Sequence, residues 1–394
     1  MSSGGLGRGL LMSVASLLIQ GSGVTAVRAK LGGMFDDSGS QVLLPVAWLQ
    51  VTFGSSDAGG SLVGPLAYIA CVLGTISIVV FLYWSRSVGE IFSIVVYLLA
   101  LSTVRLSVKA VFLECGFIYP LAVSTVHFVV AALAAFGVLF YRSLSRGIAI
   151  PVPTRSEFLF GLLPIAACFS TCIGMGNQVL DLCSVPFAEV LGSTQPLISV
   201  PMVILLGMPF NMWLSLPTSL VVAGCAICSI GDMHFSWLGL VLAILSNVLR
   251  ALKVAFQQKT LRASAEHGFD PVAILAWMSI PAAVLMLTWS LALEGPAPTL
   301  QLVGGRGSWN LVSSVLLSSV PATILNLSQL FVVAGLGAVG SQVVGQLKIA
   351  LTILGSVVLL GEQVVPLQAL GFAAIVVGTF FYSRWDQASK ASAK

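Results

Sequence analysis

The chain is a succession of apolar stretches of about twenty residues, the length a helix needs to cross roughly 30 Å of hydrocarbon. They fall at about 66–84, 90–113, 119–141, 156–177, 182–206, 214–231, 235–257, 271–293, 309–333, 336–360 and 365–383. The links between them are short and leave no room for a water-soluble domain after residue 66. Only 8% of the 394 residues are charged, against about a quarter in soluble domains, and mean hydropathy is +1.03. An all-α integral membrane protein follows, since a helix satisfies its own backbone polar groups in lipid. The ten spans from residue 90 form a body, and the span at 66–84 is an extra N-terminal helix ahead of it.

Loop charge gives the expected orientation. Alternating spans place Arg86, Arg142, Arg146, Arg155, Lys259, Arg262, Arg384, Lys390 and Lys394 on one side, and only Arg306 among the opposite loops after residue 66. Basic loops stay cytoplasmic, so the C-terminus and its tail at 387–394 are expected there. The +4 net charge therefore reflects loop placement and does not point to nucleic acid. Residues 1–35 hold Arg8, Arg28 and Lys30 without an acid, and "LLMSVASLLIQ" is followed by small residues. A secretory or organelle leader and a simple tail both fit residues 1–65. The stretch at 42–54 is too short to span and is expected at the interface. Seven cysteines lie in or beside apolar spans with no histidine cluster to complete a metal set. Neither a cofactor nor a metal is expected.

Within these spans some residues are out of place. "GSQVVGQLKIALTILGSVVLLG", Gly340 to Gly361, carries one formal charge, Lys348, near its middle. A cation at the bilayer centre costs roughly 2.5–3.5 kcal/mol on insertion scales. Ser341, Gly345, Lys348 and Thr352 share one helical stripe, with Gln342 and Gln346 alongside. The span at 182–206 holds Glu189, Ser193, Thr194 and Gln195 among Pro186, Gly192, Pro196 and Pro201. Asn326 and Gln329 lie in the 309–333 span. Polar groups in hydrocarbon need partners or water, so these are expected to converge on one aqueous pocket. A weak repeat at an offset of 154 residues aligns "VILLG" ending at Gly207 with "VVLLG" ending at Gly361, and Gly224 with Gly378. It divides the body into halves at 90–231 and 232–386, with 66–89 as the extra span and its link. Carriers built from such halves bind substrate where helices are interrupted near the midplane.

Four segments in order, "SVKAVFLECGFIYPLAVSTVHF", "SVPFAEVLGSTQPLISVPMVILLG", "LSNVLRALKVAFQQKTL" and "VGQLKIALTILGSVVLLGEQVVPLQALGFAAIVVGTFFYSRW", resemble the triose-phosphate translocator and nucleotide-sugar transporter branch of the drug/metabolite transporter superfamily. The resemblance covers roughly residues 90–386. It implies two inverted five-helix repeats and exchange of organic phosphates, with no enzymatic activity. Lys348 is then the phosphate partner, since lysine binds phosphate as a point charge; a structural pair with Glu189 is the competing role. Lys109, Arg250 and His127 match basic or histidine positions of the family. Snorkelling to the interface competes for Lys109, a hydrogen bond between packed helices for His127, and surface anchoring for Lys253.

The departures set the substrate. The phosphate translocators of this branch carry an arginine after the lysine, where this chain has Ile349, and a lysine at the position of Gly192. Nucleotide sugar in exchange for nucleoside monophosphate is accordingly preferred over sugar phosphate for phosphate. A proton-coupled metabolite exporter using Glu189 is the alternative from another class. An intramembrane enzyme is disfavoured, since no span carries HExxH, a nucleophile motif or paired aspartates. Small organic phosphates and the lipid bilayer are the expected partners, with a homodimer left open. The Golgi or endoplasmic reticulum suits the missing cations, and a plastid-type membrane the acid-free leader.

Overall fold

A computed structural model describes residues 63–84, 86–183, 185–228, 236–263, 269–304, 308–360 and 366–392. The leader expected over 1–65, apart from its last three residues, lies outside them, as does the interfacial stretch at 42–54. Twelve helices account for the rest: α1 (Val63–Tyr83), α2 (Val88–Glu114), α3 (Pro120–Arg146), α4 (Leu163–Leu182), α5 (Val185–Ser193) and α6 (Gln195–Leu205). They continue with α7 (Ser215–Cys228), α8 (Trp237–Ala263), α9 (Pro271–Leu293), α10 (Ala297–Gly304), α11 (Ser308–Leu360) and α12 (Pro366–Ser392). No strand occurs among the described residues.

Local chemistry fixes the ends. Pro120 opens α3, where its missing N–H is not needed, and Gly147 closes it at φ 65° with its N–H on the Ser143 carbonyl. Thr154 and Glu157 form a capping box at the start of a short helical turn, Arg155–Glu157, which leads through a π-helical turn at Phe158–Leu162 into α4. Asp270 caps α9 by accepting from the Ala273 N–H at 2.9 Å, and it also pairs with Arg142. At the far end Glu294 accepts from the N–H groups of Leu121 and Ala122 at 2.8 and 2.9 Å. The antiparallel pair α3 and α9 is thus tied by a carboxylate at each end.

Among the described residues, six segments are long and apolar enough to cross a membrane: Pro120–Arg146, Arg155–Val179, Phe187–Leu205, Trp237–Ala263, Pro271–Leu293 and Trp309–Leu351. Shorter apolar helices lie at Leu73–Tyr83, Val88–Val104 and Met212–Cys228. Exposed Trp84, Tyr141 and Trp213 ring one end of the bundle, and Trp237 and Trp309 the other, as aromatic belts do at the two interfaces. The protein is an all-α, multi-pass membrane protein.

Two spans depart from simple helices. The 182–206 span is two helices meeting at Thr194, because Pro196 has no N–H to give the Gly192 carbonyl. The 309–333 and 336–360 spans join with no loop, and Gly337 alone leaves helical geometry, at φ 80° and ψ 176°.

Packing is pairwise: α2 lies along α11, α3 along α9, α7 along α12, and α8 along α4 and α6. The α7–α12 contact is close. A Cβ on Gly224 would lie 2.7 Å from the Gly371 carbonyl oxygen, and one on Gly378 would lie 3.0 Å from the Pro217 carbonyl oxygen. Without side chains the two backbones touch, as small residues allow in membranes. Gly224→Leu is expected to force α7 from α12 and to destabilise the protein by at least about 1–3 kcal/mol. A thermal-unfolding midpoint in detergent checks this against Gly137→Leu, where nothing lies within 4 Å.

Candidate functional site

The site is built on the two interrupted helices. The carbonyls freed between α5 and α6 are not left to lipid. Gln346 of α11 donates from Nε2 to the Gly192 oxygen at 3.4 Å, and Asn247 of α8 donates from Nδ2 to the Leu191 oxygen at 2.7 Å. The hydroxyls of Ser193 and Thr194 donate to Val190 and Leu191. At the break in α11, Gln258 of α8 accepts the Ala338 N–H at 2.7 Å. Side chains from other helices therefore hold both breaks open, and irregular backbone survives at depth only on such terms.

Lys348 lies eleven residues past Gly337, which at 1.5 Å per residue is about 16 Å in from that end. Its Nζ stands 3.3 Å from Oε2 of Glu189 on α5, and the two side chains are 23% and 32% exposed. Both members of the pair are partly exposed, so the pair is not sealed in a core. The preceding turns of α11 are closed: Val339, Ser341, Val343 and Val344 are buried, packed around Leu336 and Tyr382. The opening at Lys348 is away from the end that carries the Gly337 break.

The remaining expected residues divide. Gly345 faces α2, where a Cβ would come within 3.2 Å of the Tyr97 hydroxyl oxygen. Gln346 is engaged at both ends of its amide, on Gly192 and on the Cys225 thiol. Gln195, Ser341 and Gln342 are buried, and among the described residues their Nε2, Oγ and Nε2 atoms have no hydrogen-bond partner. Arg250 is half-buried against α4, its Nη2 3.7 Å from where a Cβ on Gly176 would stand. His127 sits between α3 and α11 with Nε2 3.0 Å from Ser318 Oγ. That hydroxyl donates its proton to the Val315 carbonyl, so it accepts from Nε2–H. Lys109 and Thr352 lie on α2 and α11, with side chains outside the described ones.

The polar groups thus do not all line water, as the sequence led one to expect; several serve as fastenings between helices. Lys253, expected at the surface, is 3% exposed. Its Nζ donates to Gln329 Oε1 at 2.8 Å and lies 3.7 Å from the centre of the Phe169 ring. Sequence reasoning missed Lys253, Asn247 and Gln258. The signal was present: Ser246, Arg250, Lys253 and Gln257 follow the same i, i+4, i+7, i+11 spacing as 341, 345, 348 and 352.

Interrupted spans and an intramembrane ion pair in a helical membrane protein are features found in transporters. The profile of the Triose-phosphate Transporter family matches residues 73–383, and the chain belongs to that family. It is a transporter and not an enzyme. It is 26% identical to UDP-galactose transporter 1 of Arabidopsis thaliana over 71% of this chain and 82% of that one. A GDP-mannose transporter of the same plant is 26% identical over 71% of this chain and 81% of its own. Its chloroplastic glucose-6-phosphate/phosphate translocator 2 is 25% identical over 69% of each chain. A solved structure at 16% identity, covering 75% of this chain and 96% of its own, shares the fold with a TM-score of 0.53.

Proposed function

We propose that the protein is an antiporter of organic phosphates, exchanging nucleotide sugar for nucleoside monophosphate by alternating access. The Lys348–Glu189 pair carries this reading. A lysine held at mid-depth by a carboxylate, and left partly exposed, offers a phosphate its point charge. When no anion is bound, Glu189 neutralises it. The empty carrier is stabilised as it stands, and a loaded one releases the carboxylate, which is how exchange without slippage would arise. Further substrate contacts are proposed at Ser341, Gly345, Gln346 and Thr352 of α11, Gln195 of α6, Arg250 of α8, Lys109 of α2 and His127 of α3.

The body is ten helices in two inverted five-helix repeats, α2 to α7 and α8 to α12, with α5 and α6 forming one interrupted span, α11 contributing two and the short α10 serving as a link between α9 and α11. Reciprocity supports it. Gly224 meets Gly371 and Gly378 meets Pro217, and each contact becomes the other when residues are exchanged at the 154-residue offset. Such self-complementarity is the mark of a two-fold axis. The Gln346–Gly192 hydrogen bond joins two positions 154 apart, as expected on the axis itself.

Nucleotide sugar is preferred over sugar phosphate because Ile349 packs against the apolar core and Gly192 has no side chain, so neither position adds phosphate charge. The C-terminus is cytoplasmic and the membrane is that of the Golgi or endoplasmic reticulum. Counter-exchange in proteoliposomes tests the whole. Vesicles are loaded separately with UMP, GMP, CMP, AMP and inorganic phosphate, and labelled nucleotide sugars and sugar phosphates are offered outside. Uptake with one nucleoside monophosphate inside is the expected result. Uptake driven by phosphate alone would move the substrate to sugar phosphates. Uptake that needs only a pH gradient would make Glu189 a proton carrier.

A further inference from the structure

We infer that the groove beside the link between α3 and α4 binds an anionic phospholipid, with an acyl chain in the groove and the phosphate at Arg155. The inference stands apart from the transport reading, since none of the groove residues belongs to the proposed substrate site.

The groove forms where the chain leaves α3 and turns back toward α4. Val152, Pro153, Phe158, Leu159 and Trp277 line about 330 Å³ of space, with Arg155 as the charged member. That volume is at the lower end of the roughly 300–1,000 Å³ of ligand pockets. One side is fixed by Trp277 of α9, which donates from Nε1 to the Pro151 carbonyl at 2.9 Å. The same indole meets Phe136 of α3 edge-on, with ring centres 5.3 Å apart. The other side is the π-helical turn at Phe158–Leu162, closed by the Leu163 N–H on the Phe158 carbonyl. Such turns are frequent at functional sites. The mouth is open, since Val152 and Leu159 are 71% and 52% exposed.

Placement decides the class of occupant. Phe158 and Leu159 fall in the first turns of the span Arg155–Val179, and Trp277 lies near the start of Pro271–Leu293. The groove is therefore at the edge of the hydrocarbon, and Arg155 stands where headgroups begin. Ile148 and Phe160, which bracket the groove residues in sequence, are exposed as well. Acyl chains are the apolar molecules that a bilayer supplies at this level.

Charge then selects among lipids. Arg142 pairs with Asp270, and Glu157 accepts from the Thr154 N–H and hydroxyl at 2.8 and 2.9 Å. Arg146 and Arg155 are exposed and have no acidic partner among the described residues. They stand at the two ends of the link, Arg146 closing α3 and Arg155 opening the turn that leads into α4. A guanidinium grips a phosphate through two parallel N–H donors. Two unanswered cations attract a lipid of net negative charge and give no net attraction to a zwitterionic one.

Native mass spectrometry of the delipidated full-length protein tests this, with phosphatidylserine and phosphatidylcholine of identical chains supplied together at equal concentration. Wild type is expected to retain phosphatidylserine as its first bound lipid at least fivefold over phosphatidylcholine. Arg146→Gln with Arg155→Gln should bring the ratio to within twofold. Removing two other exposed cations, Lys259→Gln with Arg262→Gln on α8, should leave the ratio as it was. Val152→Trp, which fills the groove without changing charge, should cut retention of the first lipid at least fivefold. No preference in the wild type overturns the inference, and so does a preference that survives loss of Arg146 and Arg155. An equal loss in the α8 variant would mean general attraction to a basic face, and unchanged retention in Val152→Trp would mean that the groove is empty; either overturns it. Displacement of the lipid by inorganic phosphate at constant ionic strength would make this a site for free anions and would overturn it too.

Discussion

Lys348→Ala is expected to abolish counter-exchange, with a fall of at least about thirtyfold in initial uptake, since losing one member of a hydrogen-bonded charge contact costs roughly 2–5 kcal/mol. The same change strands Glu189 at mid-depth, so the protein should also melt earlier. The two effects are separable. In Lys348→Ala with Glu189→Gln the stranded carboxylate is gone, and the melting midpoint should return toward wild type while transport stays absent. A purely structural ion pair predicts the opposite, with transport recovering along with stability. Measuring uptake and the melting midpoint on the same preparations decides between the two roles.

The second large effect is at Gly337. Its φ of 80° with ψ of 176° lies in a region populated essentially by glycine, and forcing another residue there costs about 1–3 kcal/mol. A Cβ would also meet the Gln258 amide at 3.3 Å, the group that accepts the Ala338 N–H. Gly337→Ala should therefore lower the melting midpoint and loosen the α11 break together. Gly89→Ala is the control: nothing lies within 4 Å of its Cβ position and its φ is not in the left-handed range. It should melt close to wild type. Equal midpoints for the two variants would mean that the break in α11 tolerates a side chain.

Much of this was legible in the chain. Spans of about twenty apolar residues placed the long helices, and the residues that carry the family resemblance led to the family the chain belongs to. Glu189 and Lys348 stood out because a charge inside a span is rare. What misled was treating each polar residue alone. Gln346 reads as a cavity residue on its helix, but its amide closes the carbonyl that Pro196 leaves open on another helix. Lys253 reads as a surface anchor because it lies close to the end of its apolar run, yet the helix continues to Ala263 and buries it. The fusion of two spans through Gly337 was likewise hidden, since glycine is common in membrane helices for packing as well as for breaks.

By itself the sequence determined that this protein lives in a membrane, as helices, with charge inside that needs an answer. Hydropathy and helical period are local quantities, summed over a window along the chain. Only the tertiary structure decided that Lys348 meets Glu189, that Gln346 and Asn247 fasten the broken α5–α6 span, and that Lys253 lies against Phe169 and Gln329. Those partners are distant in sequence, and helix packing alone brings them within hydrogen-bonding reach.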